Sequence, residues 1–302
     1  MLPFERVSII GLGLIGSSIA RAVRAAMPTV RLTGHDASAD VRETVRALHL
    51  CDDVADTPGT AVTDADLVIL CVPVGAMGDL AAVLAADMPR DAIISDVGSS
   101  KAGVANALAK ALPDNIVVPA HPVAGTERSG PEAGFAALFH QRWCILTPAP
   151  GTPEAAIARV SIFWERLGSN VEIMDPAHHD LVLAITSHLP HLIAYTIVGT
   201  ASDLESVTQS EVIKYSAGGF RDFTRIAASD PVMWRDVFLT NKDAVLEMLQ
   251  RFSEDLTALQ RAIRWGDGDA LFELFTRTRA VRRSIIEQGQ DDARPDFGRG
   301  DH

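Results

Sequence analysis

The first half of the chain alternates short apolar runs with amphipathic stretches. Seven apolar runs of strand length occur, at 7–11, 30–36, 66–73, 92–98, 115–122, 143–148 and 170–174. Polar residues rarely interrupt these runs, which is typical of strands covered on both faces and therefore of a mostly parallel sheet. Helical stretches between the runs supply the crossovers that parallel strands need. The pattern predicts an α/β doubly wound domain over residues 1–174.

The pattern changes after residue 174, where apolar residues recur at helical spacing. Asp175 and Pro176 mark a helix start, because aspartate caps free N–H groups and proline suits the first helical turn. The predicted helical segments are 176–201, a segment around 208–217, 231–265 and 267–288. We therefore expect an all-α domain over residues 175–288. The polar, Gly- and Pro-rich tail over 289–302 is typical of disordered segments.

Composition narrows the class of partner. The chain has 302 residues, enough for two domains, and a net charge of −12. This acidity disfavours nucleic acid and membrane surfaces as partners, so an anionic substrate would need local positive charge. Three scattered cysteines lack metal-ligand spacing, and we expect no metal. The first residues lack the features of a secretory signal, and we expect a cytoplasmic protein.

The segment GLGLIG directly follows the first predicted strand and opens a helical stretch. In this pattern the first glycine makes a tight turn, the second lets the backbone approach a pyrophosphate, and the third lets helix and strand pack closely. The helix start then offers N–H donors and a positive dipole end to the phosphates. These features predict a dinucleotide site of the Rossmann type, with the cofactor-binding residues Gly11, Leu12, Gly13, Leu14, Ile15 and Gly16.

Asp36 ends the second predicted strand, 20 residues after Gly16. A carboxylate at this position binds both ribose hydroxyls and repels a 2′-phosphate, which favours NAD over NADP. A helix cap or a turn is the alternative role for Asp36. Val72 and Pro73 close the third strand, at the carboxyl edge of the sheet where such ligands bind. We expect both to line the cofactor site.

Polar residues follow the next two predicted strands. Ser99 follows the fourth strand, while His121, Thr126 and Glu127 end or follow the fifth, so we expect all four at the carboxyl edge near the cofactor. A neutral imidazole accepts a proton at neutral pH, and a base beside a hydride acceptor is what alcohol oxidation requires. Two alternatives stay open: His121 as a polar cap on its strand, and Ser99 as the N-cap of the next helix.

The stretch TSHLPHLIAY places Pro190 inside a predicted helix, where proline removes a backbone donor and bends the helix. His188 and His191 lie about 60° apart on a helical wheel. We interpret their shared face as a substrate-binding wall in a cleft between the domains, with hydrogen-bonded core histidines as the alternative. His179 lies about half a turn from His188 and need not share that wall, and a solvated first turn is its alternative setting.

The segment AGGFRDFTRIAASDPVMWRD offers further substrate contacts. Gly218 begins a glycine pair that predicts a turn. Arg221 or Arg225 is suited to clamp a carboxylate, because guanidinium binds carboxylate bidentately, and Trp234 offers an aromatic wall. Paired surface charge is the alternative for either arginine.

Five motifs, in order, resemble those of the prephenate/arogenate dehydrogenase family: GLGLIGSS, DVGSSK, HPVAGTERSG, TSHLPH and GGFRDFTRIAASDPVMWRD. The resemblance spans about residues 4–288, and GPEAGFAALFHQRWCILTP is similar to the bacterial cyclohexadienyl subgroup, which often accepts both prephenate and arogenate. It implies NAD-dependent oxidative decarboxylation in tyrosine biosynthesis, in which a hydride leaves the ring carbinol carbon and the ring carboxylate leaves as CO2. It also implies a homodimer formed through the helical domain.

The resemblance implies roles for single residues as well. His121 would take the hydroxyl proton, and Ser99 would orient that hydroxyl and contact the cofactor. The implied substrate-binding residues are Thr126, Glu127, His179, His188, His191, Gly218, Arg225 and Trp234. Among them, Arg225 would hold a substrate carboxylate, and Glu127 would form a gating network with Asp180.

Two rival functions remain at this point. A β-hydroxyacid dehydrogenase or imine reductase would also join a Rossmann domain to a helical domain. Such an enzyme is expected to use a lysine of the helical half, where only Lys214 and Lys242 occur, neither in a comparable setting. A dinucleotide-sensing protein without catalysis is the second rival, and the presence of His121, Ser99 and Arg225 argues against it.

Overall fold

The computed structural model describes residues 2–126, 128–203, 211, 214 and 217–287. The chain divides into two compact units, Met1–Leu246 and Glu247–His302. The strands are β1 Arg6–Ile10, β2 Arg31–His35, β3 Asp53–Val54, β4 Leu67–Leu70, β5 Ile93–Asp96, β6 Ile116–Val117, β7 Ala120–Pro122, β8 Trp143–Leu146 and β9 Asn170–Ile173. The helices are α1 Leu14–Ala26, α2 Ala39–Ala47, α3 Pro58–Val62, α4 Met77–Leu84, α5 Ala102–Ala111, α6 Glu154–Arg166, α7 Pro176–Leu183, α8 Leu189–Ser202, α9 Gly218–Thr224, α10 Pro231–Thr240, α11 Lys242–Trp265 and α12 Gly268–Glu287.

Six strands form one parallel sheet in the order β3-β2-β1-β4-β5-β6. Both faces of this sheet are buried. On β4, Leu67 and Ile69 pack into one core, while Val68 and Leu70 pack into the other. Continuous apolar runs provide side chains for both faces at once, which is why the runs do not alternate. The predicted doubly wound, Rossmann-type sheet with a following helical region is confirmed.

The apolar run at 115–122 forms two strands in two sheets, so the prediction of a single fifth strand was wrong. β6 ends the large sheet, whereas β7 pairs antiparallel with β8, which pairs parallel with β9. Pro119 lies between β6 and β7 and has no N–H to continue a ladder. The two-residue strand β3 was not predicted, because it is too short to form an apolar run.

The predicted helix over 176–201 is interrupted by a π-helical segment, Ala184–His188, which separates α7 from α8. Pro190 therefore lies in the first turn of α8, where its missing N–H costs little. The expected bend of the helix at Pro190 stays a prediction. Because a π turn holds more residues than an α turn, a straight helical wheel does not relate residues before this segment to residues after it.

Other helical predictions met mixed outcomes. The carboxylate of Asp175 caps α7 by accepting from two backbone N–H groups, as predicted. The predicted helix 231–265 is broken at Asn241, which separates α10 from α11. Gly218 starts helix α9 and does not form the predicted turn. Most of the segment around 208–217 and the tail over 289–302 lie outside the described residues.

One helical stretch, Pro176–Ser202, is long and apolar enough to cross a membrane by length and composition alone. It carries the buried side chains of His179, Asp180 and His188, whose hydrogen bonds reach other parts of the chain. The expectation that no membrane is a partner stays a prediction.

Candidate active site

The glycine loop between β1 and α1 contains three different backbone environments. Gly11 has a φ of +98°, and a Cβ there would lie 2.5 Å from the carbonyl oxygen of Cys71 and 3.0 Å from the side chain of Val72. A Cβ at Gly16 would collide with the carbonyl of Gly11, so α1 packs directly on the turn. A Cβ at Gly13 would meet nothing within 4 Å. The loop is therefore crowded on its protein side and open at Gly13, as a phosphate-binding turn requires.

Asp36 lies beside this loop, directly after β2. Its carboxylate accepts from the backbone N–H of Leu12 at 2.8 Å and from that of Ser38 at 2.9 Å. The side chain of Ser38 caps α2, so Asp36 does not cap this helix, whereas the bond from the Ser38 N–H agrees with the alternative turn role. The Arg42 guanidinium donates to the backbone oxygen of Asp36 at 2.7 Å. These contacts fix a carboxylate next to the glycine loop.

A continuous line of hydrogen bonds reaches His121 from the start of α5. The His121 side chain, with 7% of its surface exposed, places Nδ1 2.9 Å from Nε2 of His179. Nδ1 of His179 lies 2.9 Å from a carboxylate oxygen of Asp180. That carboxylate also accepts from the backbone N–H groups of Lys101 at 2.7 Å and Ala102 at 2.9 Å.

The acidic end of this line determines where its protons lie. Burial alone would raise the pKa of Asp180, but hydrogen bonds from His179 and from two backbone N–H groups outweigh it, and the net pKa is lowered. The ionised carboxylate only accepts, so His179 donates from Nδ1 and accepts at Nε2. His121 consequently donates from Nδ1 and carries its lone pair on Nε2.

A buried ion pair joins the two sheets beneath His121. The Lys101 ammonium pairs with Asp96 at the end of β5 and donates to the backbone oxygen of Ala120 on β7 at 2.7 Å. This contact explains why the ends of β5 and β7 meet although the strands belong to different sheets.

Burial lowers the pKa of His121 well below 6.5, and the nearby His179 and Lys101 add to the effect. His121 is therefore neutral at physiological pH.

A second set of buried hydrogen bonds leads from Asn241 to His188, and we call it the amide arm of the site. The line from Asp180 through His179 to His121 is the carboxylate arm. His188 ends the π-helical segment and is fully buried. The Asn241 amide nitrogen donates to the backbone oxygen of Asp180 at 2.8 Å and lies 3.1 Å from Nδ1 of His188. Among the described residues, no group meets hydrogen-bond geometry with Nε2 of His188, although a less well aligned hydrogen-bond contact between the Ser99 backbone and this imidazole acts to raise its pKa. Burial lowers the pKa of His188 to about 4.

Trp234 brings together the histidines on either side of Pro190. The His191 ring stacks on Trp234 with 3.7 Å between ring centroids, and His188 meets it edge to face at 6.0 Å. Burial lowers the pKa of His191, a hydrogen bond with the Ser187 backbone opposes this, and the positive charge of Arg225 adds to the lowering. The two imidazoles and the indole therefore form one aromatic cluster, which feels the charge of Arg225.

The structure excludes two alternatives. His179 lies in the first turn of α7, but this turn is not solvated at His179, which is fully buried and in direct contact with His121. Ser99 is not the N-cap of α5. That helix begins at Ala102 and is capped by Asp180 from α7.

Some predicted roles are not decided by these contacts. Gly218 and Thr126 are exposed, and Glu127 lies outside the described residues. Asp180 is held by its capping bonds, and its part in a gating network stays a prediction. The same holds for the site roles predicted for Leu14, Ile15, Val72, Pro73 and Ser99.

Three residues of the cluster were missed. Lys101 and Asp96 had a usable signal, since charged residues that bound an apolar strand need a partner when they are buried. Asn241 had no such signal, because it lies in an unbroken helical pattern of the sequence. Only the folded chain shows that it contacts Asp180 and His188.

Comparison with known proteins identifies the family. Residues 19–173 match the nucleotide-binding domain of prephenate dehydrogenase, and residues 175–277 match its dimerization domain. The cyclohexadienyl dehydrogenase of Zymomonas mobilis is 48% identical over 285 residues, which cover 94% of this chain and 97% of that protein. The prephenate dehydrogenase of Bacillus subtilis is 33% identical over 283 residues, which cover 93% of this chain and 76% of that protein.

A solved structure supports the same assignment. The crystal structure of prephenate dehydrogenase from Aquifex aeolicus, in complex with hydroxyphenyl propionate and NAD+, is similar with a TM-score of 0.86 at 33% identity. The match covers 93% of this chain and 98% of that chain. The predicted family and enzyme class are confirmed, and the two rival functions are set aside. The chain belongs to the prephenate dehydrogenase family, and its function is prephenate/arogenate (cyclohexadienyl) dehydrogenation in tyrosine biosynthesis.

Proposed function

We propose that His121 is the general base of this reaction and that its Nε2 takes the proton of the ring hydroxyl. The observation that carries the proposal is the line of hydrogen bonds from Asp180 through His179 to His121. This line leaves the lone pair of His121 on Nε2. When that nitrogen gains a proton, Nδ1–H still donates to His179, which is backed by a carboxylate. The positive charge that develops on His121 is therefore stabilised.

The proposed reaction balances at the substrate ring. The hydroxyl proton moves to His121 while the hydrogen on the same carbon leaves as a hydride, which forms a carbonyl group. NAD, when bound, accepts the hydride. The ring carboxylate then leaves as CO2, and the electrons of the broken C–C bond complete the aromatic ring. The phenolic oxygen regains its proton from His121, so no net proton is released.

The test of this function is NADH formation, followed by fluorescence, after addition of prephenate or arogenate to the protein with NAD. We expect NADH with at least one of the two compounds. Silence with both would contradict the proposed chemistry. As a control for folding, NAD binding is measured on the same sample by intrinsic fluorescence quenching.

We propose NAD as the preferred cofactor, because the described residues fit it. The open side of Gly13 leaves room for a pyrophosphate, and the fixed carboxylate of Asp36 suits the ribose hydroxyls. A 2′-phosphate would meet this negative charge, while Arg42 already donates to the backbone beside it. We expect kcat/KM to favour NAD over NADP by about tenfold or more, and Asp36→Ala to narrow the ratio. Equal values for the two cofactors would contradict this preference.

We propose that both prephenate and arogenate are substrates and that Arg225 binds a carboxylate of each. A guanidinium beside the stack of His191 and Trp234 supplies the local positive charge that an anionic substrate needs in an acidic chain. We expect Arg225→Gln to raise KM by about tenfold or more, with a smaller change in kcat. Steady-state kinetics with both compounds measure this. Arg221→Gln, an exposed arginine of the same segment, is the matched control.

We propose that the chain forms a homodimer through the helical domain that we place at residues 175–288. Within the second compact unit, several large apolar side chains are exposed, namely Ile263, Trp265, Phe272, Phe275 and Val281. Exposed aromatic side chains in such number are typical of protein interfaces. Light scattering should give the mass of two chains, and a monomer at micromolar concentration would contradict the proposal. A cytoplasmic location also stays a prediction.

A further inference from the structure

We infer that Asn241, the residue that separates α10 from α11, is a positioning residue that fixes the proton of His188 on Nε2. The inference goes beyond the general base and concerns the second buried imidazole of the proposed site. Asn241 is itself buried and belongs to the same compact unit as the histidines. It therefore acts from within the protein and needs no contact with the substrate.

The backbone carbonyl of Asp180 fixes the orientation of the Asn241 amide. A carbonyl oxygen only accepts hydrogen bonds, so the amide atom 2.8 Å from it must be the NH2 group. The other hydrogen of this NH2 group points to Nδ1 of His188, 3.1 Å away. Nδ1 must then carry a lone pair. A neutral imidazole with a lone pair on Nδ1 carries its hydrogen on Nε2.

The Nε2–H group of His188 is consequently a buried donor without a well-aligned partner among the described residues. The Ser99 backbone makes a hydrogen-bond contact with this imidazole that falls short of good geometry, and the ring meets the edge of Trp234. A buried donor that lacks a partner costs free energy unless an acceptor arrives. We assign this N–H to an oxygen atom of the bound substrate. His121 accepts a proton from the substrate, whereas His188 donates a hydrogen bond to it.

Asn241→Asp tests the inference with almost no change in shape. The carboxylate cannot donate, so it draws the His188 proton to Nδ1 and leaves a lone pair on Nε2. Asn241→Ala removes the amide N–H donor without placing an acceptor next to Nδ1 of His188. We expect kcat/KM to fall about 30-fold or more in Asn241→Asp and about three- to tenfold in Asn241→Ala. Thr240→Val, which removes the neighbouring hydrogen bond to Ser100, is the matched control and should stay within about twofold.

A second measurement reads the proton directly and needs no substrate. In protein labelled with 15N-histidine, the ring nitrogen shifts of His188, assigned by their loss in His188→Gln, should report the Nε2–H tautomer. Asn241→Asp should change them to the shifts of the Nδ1–H tautomer. An Nδ1–H tautomer in the parent protein would overturn the inference, as would equal kinetics of Asn241→Asp and Asn241→Ala. Failure of the proposed chemistry would instead show as no NADH in any variant, while the parent protein and Asn241→Asp still gave the tautomers expected above.

Discussion

Two buried histidines of this site, His121 and His188, differ in the group that is hydrogen-bonded to Nδ1 of the imidazole ring. Behind His121 lie His179 and then the carboxylate of Asp180, whereas the amide of Asn241 lies behind His188. The carboxylate only accepts, so the far nitrogen of its line becomes an acceptor. The amide N–H only donates to the ring, so the far nitrogen of the other ring becomes a donor. The same residue type thus obtains opposite chemistry from its buried neighbour.

Both arms depend on Asp180 in different ways. Its side chain directs the proton of His179, and its backbone oxygen orients the amide of Asn241. The carboxylate also caps α5, which ties the site to the Rossmann sheet. The comparison therefore predicts that changes along the carboxylate arm impair proton transfer, while changes along the amide arm impair substrate binding and leave the base intact.

The largest effect on activity is expected from replacing His121, the histidine that accepts the substrate proton in the proposed mechanism. His121→Asn should lower kcat by about 10²- to 10⁴-fold, because a general base is lost while the shape is nearly kept. Stopped-flow or steady-state NADH formation measures this. His178→Asn, an exposed histidine next to His179, is the control and should stay near the parent rate. Near-normal turnover of His121→Asn at neutral pH would remove this residue from the mechanism.

A smaller loss of activity is expected from replacing Asp180, the carboxylate at the other end of the line of hydrogen bonds that reaches His121. Asp180→Asn should lower kcat by about 10- to 100-fold, because an amide can present N–H to His179 and so reverse the line of protons. The matched control is Asp175→Asn, since the carboxylate of Asp175 also caps a helix and, among the described residues, accepts only from the backbone N–H groups of Ala177 and His178. If both variants lose the same activity, the role of Asp180 is capping alone.

The histidine of the amide arm, His188, predicts that the free energy of unfolding depends on pH. Burial lowers the pKa of His188 to about 4, whereas an unfolded histidine titrates near 6.5. Between these values the unfolded chain binds a proton that the folded chain rejects, so stability falls as pH drops below about 6.5. Relative to pH 7.5, His188 should cost about 2 kcal/mol at pH 5. Urea unfolding should show His188→Gln losing less stability over this interval, and parallel curves would contradict the prediction.

The smallest effect is expected in the pH profile of the parent enzyme. Because burial and nearby groups lower the pKa of His121 well below 6.5, the base stays neutral in mild acid. We expect kcat/KM to vary by no more than about twofold between pH 8 and pH 6.5. A decline centred near 6.5 would mean that the catalytic imidazole titrates like an exposed histidine, which would contradict the buried arm described here.

The proposed cofactor site and the histidine arms differ in how far the sequence predicts them. The glycine loop and Asp36 were predictable, because a turn, a helix start and the end of the next strand are local features. The histidine arms join residues that are far apart in sequence: 58 positions separate His121 from His179, and 79 separate Lys101 from Asp180. Residue types alone indicated a base, but no local pattern contains the partner that directs its proton.

Helical phase limited the prediction in the second half. A straight wheel separates His179 from His188, whereas the chain adds a π-helical segment between them and buries both, with His179 against His121. The break at Asn241 was hidden for a related reason. The apolar spacing continues on both sides of it, and only the folded chain shows its non-helical backbone and the hydrogen bonds of its amide.

The π-helical segment Ala184–His188 also makes the position of a change in chain length important in this region. A π turn accommodates about one residue more than an α turn. Deleting one residue there would let a regular α-helix form while the helix after it kept nearly the same phase, because the wider turn already absorbs the extra residue. Deleting a residue in the regular part of α7 would instead rotate everything after it by about 100° and turn His191 away from Trp234. The damage done by a one-residue deletion in this helix therefore depends on whether it falls inside the π turn.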